Sequence, residues 1–261
     1  MRALDIASTG MLAQQLNVEV IANNLANVNT TGFKRSHAEF QDLLYQNQRR
    51  VGTESSDAGT TVPTGIQLGL GVKTAAVYRI HEQGNLQQTS NPLDLAVSGL
   101  GYFEIQMPDG TTGYSRAGSF QLSQNGEVVT QDGYLVNPGL TIPQNATSVA
   151  VSATGVVSAT IAGQTTPQNI GQLSMSTFIN ESGLQAIGNN IYKETEASGI
   201  PQSGTPGSED RGTISQGFLE NSNVNTVTEI TNLISAQRAY EMNSRVIETT
   251  NQMMGTLSAL R

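Results

Sequence analysis

LDIASTGMLAQQLNVEVIANNLANV, Leu4 to Val28, is the stretch on which the fold turns. Written in heptads from Leu4, its a positions are Leu4, Met11, Val18 and Leu25, and its d positions Ala7, Gln14, Ile21 and Val28. All but Gln14 are apolar, and a 3.5-residue repeat of this kind marks a helix that supercoils against a partner. Gly10 sits inside the run and weakens an isolated helix by ~1 kcal/mol relative to Ala. The helix is expected to stop near Asn29-Thr30-Thr31-Gly32, where helix-weakening residues close on a glycine.

The C-terminal forty residues carry the same signature. From Leu233 the a positions are Leu233, Tyr240, Ile247 and Met254, and the d positions Ala236, Asn243, Thr250 and Leu257. Asn243 and Thr250 are polar interruptions that set register at some cost in stability. A solvated helix carries charged i, i+4 pairs on its outer face; here those faces are rich in Asn, Gln, Ser and Thr. The simple reading pairs the two ends in one globular domain. A helix pair of this length buries too little surface to stand alone, so the sharper reading satisfies the remaining faces with other copies of the chain.

Between about residues 66 and 220 the helical period vanishes. Short apolar runs take over, including Leu93–Val97, Tyr102–Gln106, Ser148–Val151, Gly155–Ile161 and Leu173–Phe178, separated by Pro108-Asp109-Gly110, Asp132-Gly133 and similar turns. FQLSQNGEVVTQDGYLVN (Phe120–Asn137) reads as two successive hairpins. The expected fold is α+β and multidomain. Residues 1–33 and 222–261 pair as an inner coiled-coil domain, and 71–221 form a central all-β domain of short antiparallel strands. Residues 34–70 connect them, with an insert at 46–63, and both 46–65 and 196–212 have the composition of a linker.

Composition narrows the function. Of 261 residues, 94 are Asn, Gln, Ser or Thr and only 13% are charged, so the surface is uncharged-polar rather than ionic. The net charge of −8 argues against nucleic acid as a partner. Residues 1–35 carry +1 and 221–261 carry zero, which leaves −9 in the middle and divides the chain in three. No apolar run approaches the roughly 18–20 residues of a membrane span, so direct membrane insertion is not expected. The start lacks the apolar core of a cleaved signal, so export by that route is not expected either. With no cysteine there is neither a disulfide nor a thiolate metal site.

Catalytic constellations are missing from the sequence. His37 and His81 stand in unrelated segments without carboxylates at metal-ligand spacing. GIQLGLG (Gly65–Gly71) lacks the third glycine and the βαβ context of a nucleotide loop, and reads as a turn. Asp94 and Asp109 have no evident catalytic partner. No catalytic, cofactor or metal residues are assigned, and the chain is expected not to be an enzyme.

Four ordered motifs span the chain. They are ANNLANVNTTGFKR (Ala22–Arg35), NPLDLAVSGLGYFEIQ (Asn91–Gln106), YSRAGSFQLSQNGEVVTQDGYLV (Tyr114–Val136) and GFLENSNVNTVTEITNLISAQRAYEMNSRVIETTNQMM (Gly217–Met254). Together they resemble the axial proteins of the bacterial flagellar rod and hook. The residues that carry the likeness are Asn23, Asn24, Leu25, Ala26, Asn27, Asn29, Thr30, Gly32 and Phe33, with Gln237, Arg238, Ala239, Tyr240, Asn243 and Ser244 at the other end. Within the family the chain is most similar to the distal-rod branch, in its length, its DLLYQ segment (Asp42–Gln46), its loop near Gly204–Gly207 and the insert from Gln46 to Pro63.

The resemblance implies a structural subunit of the basal body, exported through the flagellar type III apparatus without a cleaved signal. Copies polymerise into a hollow helical drive shaft that crosses the periplasm, passes exported subunits through its channel and transmits motor torque to the hook. The implied partners are the chain itself, the proximal rod proteins, the hook protein, the P-ring and L-ring proteins and the export apparatus; no cofactor is implied. Hook and proximal rod proteins are alternatives in the same family. From other classes, a secreted β-rich adhesin leaves the terminal heptads unexplained, and a peptidoglycan-cleaving enzyme lacks the carboxylate or histidine dyad it needs.

Overall fold

Residues 2–49, 64–164, 166–208 and 211–259 are described by the computed structural model. The chain divides into two compact units, Met1–Leu25 with Ser36–Tyr78 and Asn225–Arg261, and Ala26–Arg35 with Arg79–Val224.

The first unit holds two long helices, α1 (Arg2–Ala26) and α2 (Thr226–Ala259). Asn225 starts α2: its side-chain oxygen accepts hydrogen bonds from the Val227 and Thr228 N–H groups at 3.1 and 3.2 Å, satisfying two donors that the first turn leaves open. The helices pair antiparallel. Gly10 of α1 faces Asn243 of α2, and Asn24 donates to Glu229 at 3.3 Å. Both pairs of contacts are fourteen residues apart on their own helix, about 21 Å of rise, so the register is constant between them. At 34 residues against 25, α2 runs on past the start of α1.

Helix α1 ends at Ala26, short of the expected stop, which puts Val28 in the turn that follows rather than on the helical stripe. Asn27 is the physical reason. Its carbonyl accepts from the Thr30 N–H at 3.2 Å and its side-chain oxygen from the Thr30 hydroxyl at 3.1 Å, the local bonding by which Asn and Thr compete with a helix.

The first unit also contains strands. β1 (Ser36–Asp42) pairs with β4 (Val72–Arg79), and β2 (Tyr45–Arg49) with β3 (Ile66–Gly69) in antiparallel register, Tyr45 opposite Gly69 and Gln46 opposite Leu68. The polar stretch with a linker's composition is therefore, at its two ends, the stem of a hairpin; residues 50–63 lie outside the described residues. Every side chain of β2 is exposed. Thr9 of α1 meets this region: its hydroxyl accepts from the Val72 N–H at 3.3 Å and occupies the space a Cβ on Gly71 would need.

The second unit is rich in strands. Its nine-stranded sheet is built around the strand Tyr102–Gln106, which is flanked by Thr112–Ser115, Leu135–Val136 and Met175–Thr177. The predicted double hairpin is present, with Val128 opposite Leu122 and Val129 opposite both Gln121 and Leu135. Gly126 turns its first loop at φ +81°, where the Ile142 carbonyl fills the place of a side chain. Strands Ala146–Val151, Val156–Ile161 and Gln168–Gln172 form a second sheet. Two apolar clusters fill the unit: a mainly aliphatic one around Val97, Val136 and Met175 that also holds Phe103 and Phe120, and an aromatic one of Tyr102, Tyr114, Phe178 and Tyr192 with Leu184. Within 196–212, Gln202–Gly204 is a strand paired with Met175–Thr177, and Ser198 is buried in a turn with Thr195.

Candidate functional site

Two features stand out: the helix pair of the first unit, which holds most of the residues singled out by sequence, and a buried ionic cluster in the second, which sequence reasoning did not assign. On α2 most of the less exposed side chains recur at the heptad spacing. Glu229, Ala236 and Thr250 are buried, and Leu233, Asn243, Ile247 and Met254 half-buried. Tyr240 is different: it is 43% exposed, and the half-buried neighbour Ala239 turns further inward. The side chain of Leu257 lies outside the described residues. On α1, Ile21 is buried and Leu4, Met11, Val18 and Leu25 are half-buried, while Ala7, Ala13, Val20 and Asn24 are the other buried positions.

Gly10 has a packing role. A Cβ there would sit 2.9 Å from Asn243 Nδ2, so the glycine is a notch that admits the asparagine side chain. Asn24, 1% exposed, is used in full: its amide donates to the Ser36 carbonyl (2.8 Å) and to Glu229, and its oxygen accepts from the Ser36 N–H (2.8 Å). Glu229 lies in the first turn of α2, where the helix dipole favours an anion. Of the remaining motif residues, Asn23 and Ala26 are exposed on α1, Gln237, Arg238 and Ser244 are exposed on α2, and Asn29 is exposed in the turn.

In the second unit, the residues after α1 and before α2 are tied together. Gly32, at φ +68°, donates its N–H to the Glu220 carbonyl at 2.8 Å, and a Cβ would lie 2.7 Å from the Ala117 nitrogen. The Phe33 N–H closes the turn on the Thr30 carbonyl at 3.3 Å. Lys34, 1% exposed, reaches the fully buried Glu220 Oε1 at 2.6 Å and the Glu82 carbonyl at 2.8 Å. The Arg35 N–H donates to Asn223 Oδ1 at 2.7 Å, and the Asn223 amide donates to the Ile80 carbonyl at 2.8 Å. Segments 32–35, 80–84 and 220–223 thus share one carboxylate and one amide.

Arg116, 2% exposed, is the second cation on Glu220, with Nε 3.8 Å from Oε2. Its Nη2 donates to the Gly99 carbonyl at 2.7 Å and its guanidinium lies 5.5 Å from the Tyr102 ring centre. Arg116 Nε and Nη1 and Glu220 Oε2 make no hydrogen bond among the described residues. Burial holds Lys34 below its ordinary pKa, with Glu220 opposing that shift. Burial, and then the charges of Lys34, Arg79 and Arg116, lower His81 to about 4; the neutral ring shares a 2.7 Å hydrogen bond with the Tyr102 hydroxyl. Burial also raises the Glu181 carboxyl. Two cations around one buried anion suit a structural clamp, and burial pushes the Tyr102 hydroxyl beside the neutral histidine above the usual tyrosine pKa.

Sequence reasoning missed Lys34, Arg116, Glu220 and Glu229. One signal was available: charge is scarce in this chain, and Lys34, Arg116 and Glu220 all fall inside the motif strings. Among the described residues no group of three or more His, Asp or Glu comes together as metal ligands do, and no helix is long and apolar enough to cross a membrane.

Three sequence families match successive parts of the chain. They are described as flagella basal body rod protein (residues 4–34), flagellar hook protein FlgE/F/G D1 domain (96–159) and flagellar basal body rod FlgEFG protein C-terminal (215–260). Full-length relatives include the flagellar basal-body rod protein FlgG of Caulobacter vibrioides, 55% identical over 100% of both chains. Those of Borreliella burgdorferi and Bacillus subtilis are 48% and 40% identical, each over 100% of this chain and 99% of the relative. Likeness of this extent, running through the helix pair and the ionic clamp alike, has one reading: the chain belongs to the flagellar basal-body rod protein FlgG family.

Proposed function

We infer that the chain is a structural subunit of the flagellar basal-body rod, and that it assembles with copies of itself into the distal part as a hollow helical shaft. In that role it carries torque between the proximal rod and the hook, turns inside the P and L rings, and lets exported subunits pass. The part played by its residues is mechanical rather than catalytic. Inward positions of α1 and α2 hold the pair as a short coiled coil, and their outer faces meet other subunits.

The observation that carries this reading is the outer face of α2. Val227, Ile234, Met242 and Met253 are 45–73% exposed on a helix nine residues longer than α1, with which it pairs. Exposed apolar surface on that scale marks an interaction face. The β2–β3 stem points the same way, since a two-stranded hairpin with its side chains in solvent is marginal without a neighbour. We assign the stem and the insert that it carries to contacts between subunits.

Electron microscopy of the purified full chain tests the reading. Concentrated protein is expected to form tubes of uniform diameter, and to restore rods and swimming when supplied to a strain lacking its own rod protein of this kind. Protein that stays monomeric at every concentration and builds no rod in the cell would overturn it.

A further inference from the structure

The helix pair presents two unlike surfaces on one unit. The first is a groove of about 630 Å³ between α1 and α2, lined by Gln15, Val18 and Glu19 from one helix and Gln237, Tyr240 and Glu241 from the other. Val18 and Tyr240 give it an apolar floor, and Glu19 and Glu241 give it an acidic rim. Gln15 donates to Glu19 at 3.1 Å and so holds that carboxylate over the groove.

The second surface is a stripe along α2. At 100° per residue, Arg238, Met242 and Arg245 fall within about 60° of arc, opposite the inward positions Ala236, Asn243 and Ile247. Met242 is 65% exposed and both arginines are exposed. Arg245 stands four residues after Glu241, a spacing that favours an ion pair within the helix. No such pair forms among the described residues, and neither arginine has a partner there. The two guanidinium groups flank Met242 about 10 Å apart along the axis.

We propose that the stripe of one copy docks in the groove of the next, Met242 on the Val18–Tyr240 floor, Arg245 against Glu19 and Arg238 against Glu241. This rests on the rod-subunit reading and names the surfaces that perform it. Charge complementarity selects a second copy as the occupant, because among the described residues this is the one basic pair with an apolar residue between its members on an exposed helix face. Groove and stripe are separated by roughly 110° around α2, so the contact is heterologous. A heterologous contact generates an open helical array unless its rotation happens to close a ring. One repeated pairing then accounts for a shaft rather than a dimer.

A charge exchange tests the pairing, with the full chain carrying Glu19→Arg, Arg245→Glu, or both. Each single variant sets like charges together and is expected to raise the concentration needed for tube formation by about tenfold or more, with unchanged circular dichroism of the monomer. Every copy of the double variant has both an altered groove and an altered stripe, so complementarity returns and assembly is expected within about threefold of the parent. Singles that assemble like the parent, or a double no better than the worse single, would overturn the pairing while leaving the rod-subunit reading intact. If the parent itself forms no tubes, it is that reading which fails.

Discussion

Gly10 and Asn243 meet across the antiparallel helices so closely that a Cβ on residue 10 would lie 2.9 Å from the asparagine amide. The position that most weakens α1 as an isolated helix is where the Asn243 side chain of α2 packs. A methyl group displaces only the end of a flexible side chain, whereas a larger group pushes the helices apart. Gly10→Leu is expected to abolish tube formation while leaving helix content unchanged, and Gly10→Ala to assemble. Circular dichroism and electron microscopy of both variants check this.

The clamp predicts an order of stabilities. Glu220→Gln removes the carboxylate that, among the described residues, is in ion-pair contact with both Lys34 and Arg116, and leaves two buried cations facing each other. Loss of one partner of a buried pair costs roughly 3–5 kcal/mol, and this variant is expected at the upper end. Lys34→Met leaves Glu220 beside Arg116 and should cost less. Urea denaturation of the full chains followed by tyrosine fluorescence gives the comparison; equal losses would show that Arg116 does not share in the clamp.

Gly32→Ala strains the turn on two counts: φ is +68°, and the added Cβ would press on the backbone at Ala117. A backbone position of that kind costs about 1–3 kcal/mol, before the clash is counted. A lower denaturation midpoint of the full chain, with the same denaturant slope, is the expected result.

His81 makes stability depend on pH. Unfolded, it titrates near 6.5; folded, burial and the nearby Lys34, Arg79 and Arg116 hold it at about 4. Between those values the unfolded chain binds more protons, so its contribution is complete above about 6.5 and falls as the pH drops toward 4, by roughly 3 kcal/mol in all. His81→Gln should flatten the stability profile across that interval. An unchanged profile would place the pH response elsewhere.

The hairpin insert separates linker from interface. Removing residues 50–63 and joining β2 to β3 through a short turn should leave polymerisation intact and give tubes that bend more easily, as judged from curvature in micrographs. Tubes as straight as the parent's would return the insert to the linker class. Ile247→Asp, which puts a carboxylate on the inward face of α2, should by contrast leave soluble monomers with a folded strand-rich unit and no tubes.

The hairpins and the less exposed face of α2 were legible in the sequence because both depend on local periodicity. The spacing of Leu233, Ala236, Asn243, Ile247 and Met254 places them on one face wherever the helix lies. Turn glycines such as Gly126 mark strand ends without reference to anything distant. On α1 the same arithmetic admits a stripe through Met11 and Val18 or one through Ala13 and Val20, and only the neighbour's position selects the buried set.

Two long helices with a strand-rich region between them, and a chain poor in charge, were determined by sequence alone, since each rests on patterns shorter than a few turns or on composition. Tertiary structure decided the rest. Lys34 and Glu220 are 186 residues apart and become a buried ion pair only when three segments converge, so no spacing rule could join them. Polar composition hid the β2–β3 stem for a related reason: its pairing is made by backbone groups, which every residue but proline supplies alike.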